Sequence, residues 1–149
     1  MSILDSAPWI KEHIDLFKSD PEKAHYFAPA GQGDPMPSLL LTATGRKTGQ
    51  KHALPLIYGK AGNRFVIVAS RGGAPDHPGW YKNLKAHPDA EIQVVRDHYK
   101  VRARDAEGTE RAELWALMTK IFPPYDDYAR LADGHREIPV VVLEPQQDA

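Results

Sequence analysis

Between two short apolar runs, Leu39-Leu40-Leu41 and Ala53-Leu54-Pro55-Leu56-Ile57, lies the stretch Thr42 to Gln50. That order reads as strand, tight loop, strand, and it commits this part of the chain to a hairpin. Gly45 and Gly49 let the backbone take positive φ, so loop amides can point the same way. Arg46, Lys47 and Lys51 add positive charge, and Thr44 and Thr48 add hydroxyl donors. Converging amides, hydroxyls and cations suit a phosphate or carboxylate ligand. The loop is not a Walker loop: the pattern G-x-x-x-x-G-K-[ST] is absent, and a strand follows rather than a helix. Taken alone, the stretch reads equally as a solvated basic hairpin turn.

A second stretch repeats the combination. Ser70-Arg71-Gly72-Gly73-Ala74 follows the strand-like run Phe65-Val66-Ile67-Val68-Ala69, again joining a glycine turn to a cation. It leads through Pro78 into a short helix carrying Trp80, Tyr81, Asn83 and Leu84.

Together the two segments resemble the deazaflavin-dependent nitroreductase family, whose members use coenzyme F-420. The matching pieces are Leu40-Leu41-Thr42 through Gln50, Pro55-Leu56, Ser70 to Ala74, Pro78, Trp80-Tyr81, Asn83-Leu84 and Ile138-Pro139-Val140-Val141. The resemblance runs from about Ser38 to Pro145. It implies a mainly β fold with flanking helices, the split β-barrel shared with flavin reductases.

The whole chain is consistent with that class. Its 149 residues suffice for one domain with a real core. We read residues 1–37 as an N-terminal helix and connector, and residues 38–145 as the cofactor-binding barrel. Hydrophobic residues make up 42% and charged residues 26%, a soluble globular balance. The formal charge of −1 gives no general affinity for polyanions, so no nucleic-acid partner is expected. Without cysteine, disulfides, thiolate nucleophiles and Cys-ligated zinc are excluded. No basic segment followed by an apolar core opens the chain, and no apolar run approaches the roughly 20 residues that span a membrane. A cytoplasmic location is the default expectation.

In chain order, Ser6 is a candidate N-cap with Pro8 in the first turn, and Ile10, Ile14 and Phe17 recur at helical spacing. These predict a surface helix over Ala7–Ser19 that covers the barrel; weak contact with a membrane surface is the alternative role. Pro29–Pro37 reads as a connector. Strands are expected at Leu39–Ala43, His52–Tyr58, Arg64–Ser70 and Ala90–Val95. Gly59–Asn63 is read as a hairpin loop and Gly79–Ala86 as a short helix. Arg96-Asp97-His98 is read as a turn before a strand in which Tyr99, Val101 and Ala103 alternate with Lys100, Arg102 and Arg104. Thr109 is a candidate cap for a helix striped by Leu114, Leu117, Met118 and Ile121, ending at Pro123-Pro124. Tyr125 to Tyr128 continues irregularly or as a brief helix. Ile138–Leu143 is the last strand, with Pro139 marking an edge position or a strand start. The total is about six strands.

Seven histidines are scattered without any compact ligand pair, so no metal site is expected. There is no G-x-S-x-G elbow. Asp126 and Asp127, being adjacent, make a poor acid/base pair. With no convincing protein-derived reactive group, a cofactor should supply the chemistry.

The resemblance implies which cofactor. Coenzyme F-420 carries hydride on a deazaflavin ring and extends a phosphate and a glutamate tail. Residues matching Arg46, Lys47, Thr48, Gly49 and the Ser70-Arg71-Gly72 turn hold the phosphate and tail in the family. Pro55 and Leu56 match backbone at the ring edge, and Trp80 and Asn83 line the groove. Family members often carry Pro-Arg after the Gly-Gln pair, where this chain has Lys51-His52; the arginine's anion contact is replaced by Lys51, replaced by His52, or lost. Tyr125 and Tyr128 match a segment whose tyrosines line the acceptor pocket, and one of them can donate a hydrogen bond to the acceptor. The implied activity is hydride transfer from reduced F-420 to a quinone-like or nitroaromatic acceptor. The alternatives are an FMN-binding reductase on the same barrel, a non-catalytic F-420 carrier, and, disfavoured by charge, a nucleic-acid module.

Overall fold

A computed structural model describes residues 8–27 and 36–146 of the chain. The expected Ser6 cap and most of the Pro29–Pro37 connector lie outside the described residues. The elements are α1 (Pro8–Ser19), α2 (Pro21–His25), β1 (Tyr26–Phe27), β2 (Met36–Thr44), β3 (Lys51–Ile57), β4 (Gly59–Ala61) and β5 (Arg64–Val68). A 3-10 turn at Arg71–Gly73 follows, then α3 (Gly79–Ala86), β6 (Asp89–Val94), β7 (Asp97–Asp105), α4 (Gly108–Ile121), α5 (Pro124–Ala132) and β8 (Val140–Pro145).

All eight strands join one sheet in the order β1-β2-β6-β7-β8-β5-β4, with β3 paired to β2 and every pairing antiparallel. Leu40, Leu41 and Thr42 pair with β3 on one side and β6 on the other. β3 also approaches β5, so the sheet curls toward itself. This is the mainly β, helix-flanked architecture of a split barrel.

Strands β5 and β8 lie at the centre of the packing. Phe65, Ile67, Val141 and Leu143 point into the barrel with Leu39, Leu41, Ile92 and Val101. The alternate residues Val66, Val68, Val140 and Val142 pack outward against Leu114 and Met118 of α4 and Tyr125 and Ala132 of α5. Both faces are covered, so these strands read as continuous apolar runs rather than as alternating ones. On another face, Phe17 of α1 and Ala24 of α2 bury Leu40, with Ile14, Leu16 and Ala53 beside them. The apolar side chains described for α1 thus face the sheet.

Several boundaries differ from expectation. Gly59–Ala61 is a strand, and the turn narrows to Gly62 and Asn63. A Cβ on Gly59 would stand 2.6 Å from Met118 Sδ, so the glycine lets α4 approach β4. The β6–β7 turn falls at Val95-Arg96 instead of Arg96-Asp97-His98. Glu107, not Thr109, stands at the start of α4, and no side chain caps it. Helix α2 and the short strands β1 and β4 went unanticipated because segments of two to five residues carry no readable period. Pro139 immediately precedes β8, which pairs on both sides, so it marks a strand start and not an edge.

Candidate cofactor site

The first glycine loop closes on itself at the end of β2. Gly45 N–H donates to Gln50 O at 2.7 Å, Gly49 N–H donates to Gly45 O at 2.9 Å, and Gly49 takes φ +75°. Thr48 Oγ1 accepts from Gln50 N–H at 3.2 Å, leaving its own proton to donate outward. A Cβ on Gly45 would stand 2.9 Å from His52 Nε2, so the imidazole lies across that glycine. Lys47, Thr48, Gly49, Lys51 and His52 are all exposed. Pro55 and Leu56, half-buried, pair with Leu40 and Leu39 on β2.

Asn83 straps this loop to α3. Its side chain is only 9% exposed, and its Oδ1 accepts from Arg46 N–H at 3.1 Å and from Arg46 Nη1 at 2.8 Å. Arg46 Nη1 also reaches Gly79 O at 3.4 Å. Part of the Arg46 guanidinium is therefore committed to shaping the loop. Trp80, on the same helix, is half-buried against the barrel core and meets Tyr81 edge-on, with ring centroids 6.4 Å apart.

The second turn sits at the end of β5. Gly73 N–H donates to Ser70 O at 2.9 Å and Ala74 N–H to Arg71 O at 3.1 Å. Arg71 holds φ +45°, a region that side chains seldom occupy and that clusters at functional sites. Gly73 touches α5 closely: a Cβ there would lie 3.0 Å from Tyr128 O and 2.9 Å from Leu131 Cβ. Tyr128 is thereby brought beside the turn that carries Arg71. It is half-buried, whereas Tyr125 is 4% exposed and packed among Trp115, Phe122 and Tyr128. Burial, and secondarily Tyr128, pushes the Tyr125 phenol above its ordinary value, so it stays protonated and inside.

Two residues that sequence reasoning missed complete the frame. Arg136 donates from Nε to Ala74 O at 3.0 Å, from Nη1 to Ala69 O at 3.0 Å, and from Nη2 to Ser70 O at 2.8 Å. Its Nη1 also meets His77 Nδ1 at 3.1 Å, which places the His77 proton on Nε2. His77 in turn packs on Tyr81, ring centroids 4.8 Å apart, and Tyr81 donates to Asp105 at 2.9 Å. Burial, then Arg136 and Lys82, hold the His77 imidazole below its ordinary value, against the opposite pull of Asp105 and Asp76. In the sequence neither residue carries a local signal of this role.

The two turns hold cations that lie outside the ion pairs of the described residues. Five of the nine arginines form ion pairs: Arg64 and Arg104 with Glu110, Arg96 with Glu22, Arg111 with Glu137 and Arg130 with Asp127. Arg46 and Arg71, with Lys47 and Lys51, make no ion pair with a described carboxylate; nor does Arg102 on β7, nor Arg136, whose guanidinium is taken up by backbone carbonyls. A phosphate and a carboxylate tail fit such a set, since charge-assisted bonds are the ones it leaves unmade.

Residues 21–145 match the sequence profile of the F-420H(2)-dependent quinone reductase family. An F-420H(2)-dependent quinone reductase of Mycobacterium tuberculosis is 37% identical over 149 residues, spanning 94% of this chain and 98% of the relative. Among solved structures, an F-420-H2 dependent reductase, FDR-A, is 39% identical with a TM-score of 0.66, covering 72% of this chain and 93% of that one. A structure described as a domain-swapped dimer is 34% identical with a TM-score of 0.67, covering 88% of this chain and 98% of that one. The chain therefore belongs to the F-420H(2)-dependent quinone reductase family.

Proposed function

We propose that the protein is an oxidoreductase that reduces a quinone with hydride supplied by reduced coenzyme F-420. The observation that carries this reading is the set of cations gathered on two glycine turns, without carboxylate partners among the described residues, in a chain of net charge −1. Arg46, Lys47, Thr48 and Gly49 bind from the first loop, His52 from the start of β3, and Ser70, Arg71 and Gly72 from the second turn. Lys51 stands beside His52 as a further anion contact. Pro55, Leu56 and Trp80 position the ring, and Asn83 holds the first loop on α3. No protein nucleophile is required; the chain contributes orientation and electrostatics.

Tyr128 is the residue we assign to the acceptor. Its phenol donates a hydrogen bond to the acceptor oxygen as negative charge develops there. A nitroaromatic oxygen accepts the same bond, so nitroreduction falls within this reading. Tyr125 acts behind it, packed against the Tyr128 ring.

Titration with F-420 and with FMN tests the assignment. Each ligand has a ring and a phosphate, but only F-420 extends an acidic tail. Lys47→Ala and Arg71→Ala should each weaken F-420 binding by about tenfold or more, the loss of one charge-assisted bond. FMN should lose less, and added salt should narrow the difference. Unchanged affinity for both ligands would return the loops to solvated turns.

A further inference from the structure

Arg136 makes more side-chain hydrogen bonds than any other arginine of the site, and all of its carbonyl partners belong to one short segment. Ala69 O, Ser70 O and Ala74 O bracket the turn on which Arg71 sits at φ +45°. Among the described residues no carboxylate forms an ion pair with Arg136. Its side-chain partner among the described residues is His77, whose Nδ1 can accept only while the imidazole is neutral.

We propose that Arg136 is a positioning residue for coenzyme F-420: paired with neutral His77, it locks the Ser70–Ala74 turn in the shape that presents Arg71 to the anionic end of the cofactor. The proposal rests on the reading of Arg71 given above.

Three physical points support it. First, a side chain rarely stays in the left-handed region unless its surroundings hold it there. The carbonyls flanking Arg71 are held by a single planar fork, which a lysine cannot reproduce. Second, Arg136 and Arg71 repel each other. Burial, and then Arg71, hold the Arg136 guanidinium below its ordinary value, with Asp76 opposing. An anion bound at Arg71 relieves that repulsion. Third, protonation of His77 removes the acceptor and places a cation against Arg136. The charged groups around His77 are Arg136 and Lys82, which oppose its protonation, and Asp105 and Asp76, which favour it. Tyr81 closes the ring's other side. Acid should therefore loosen the turn as the pH falls below about 6.5, the imidazole's ordinary value.

Calorimetric titration of oxidised F-420 into wild type, Arg136→Lys, Arg71→Ala, the double variant and His77→Asn tests this. Asparagine keeps an oxygen where Nδ1 accepts and does not titrate. Arg136→Lys is expected to weaken binding about tenfold. Turnover at saturating reduced F-420 should stay within about twofold of wild type, the split expected of lost binding rather than lost chemistry. In the Arg71→Ala background the lysine should add little, because the two act as one unit. Wild-type affinity should fall between pH 7.5 and 5 more than that of His77→Asn; ionisation of the ligand itself is common to both. If Arg71→Ala leaves affinity unchanged, the reading of Arg71 fails. If Arg71→Ala weakens binding while Arg136→Lys does not, or if the two losses add in full, the positioning role fails. Should Arg136→Lys not fold, the pH comparison decides: parallel profiles for wild type and His77→Asn overturn the proposal.

Discussion

Gly73 shows how much one residue can decide. Its φ of +84° lies where only glycine is comfortable, and its missing side chain is the space into which the Tyr128 backbone and Leu131 fit. Gly73→Ala meets both constraints at once. It should destabilise the fold by about 1–3 kcal/mol, the range for overpacking, measured by urea unfolding. It should also push α5 off the turn and so move Tyr128. Tyr128→Phe addresses the chemistry directly. Acceptor reduction should slow by about tenfold or more, less than the roughly 100-fold of a full proton transfer, while F-420 affinity stays unchanged. Wild-type kinetics with several quinones would reduce Tyr128 to packing. Among single residues, Lys47, Thr48 and Arg71 stood out in the sequence through their glycine neighbours. Arg136 and His77 did not, since nothing local distinguishes them from surface charge.

At the scale of elements, the hairpin joining β6 and β7 carries a visible conflict. Val94 pairs with Asp97, so only Val95 and Arg96 make the turn, and Val95 holds φ +54°. A β-branched residue is poorly suited to that first position, where glycine is favoured. Gln93 offsets part of the strain: its Nε2 donates to Val95 O at 2.9 Å and to Phe17 O at 2.7 Å. Val95→Gly should therefore raise stability by about 1 kcal/mol, a positive shift in urea midpoint with unchanged slope. A loss would show that Val95 packing outweighs its backbone cost. The same conflict explains the misplaced turn. The polar run Arg96-Asp97-His98 looks like turn chemistry, yet strand pairing carries Asp97 and His98 into β7 because β6 needs partners for its whole length. Tertiary pairing overrode local propensity there.

For the whole molecule, three histidines set the response to acid. His13, 4% exposed, donates from Nε2 to Ala24 O at 2.7 Å and stacks on Phe17; burial holds it below its ordinary value of 6.5. Burial lowers His25 and His77 in the same direction. A lowered value means that the unfolded chain binds protons first. Stability is then full above about pH 6.5 and is lost as the pH falls through that value toward the folded ones. Urea unfolding between pH 7.5 and 5 should show a falling midpoint, and His13→Gln, which keeps a donor for Ala24 O, should flatten part of the fall. A midpoint independent of pH over that window would contradict the assignment. Glu22, held low by Arg96, and Glu110, held low by Arg104, extend the loss to still lower pH, below their ordinary 4.5.

The sequence by itself determined the two glycine turns, the apolar strands beside them and the helix Gly79–Ala86, because turn chemistry and hydrophobic period are local properties. Through the paired turns it also carried the resemblance to F-420-dependent reductases, though under the name nitroreductase where the family matched is that of the quinone reductases. Only the tertiary structure decided how the turns are held. Arg136 finds its partners 59 to 67 residues away, and Asn83 lies 37 residues from Arg46. Gly73 looked like turn flexibility but serves a helix contact. Each of these depends on where the curled sheet brings distant backbone together, and no periodicity in the chain encodes that.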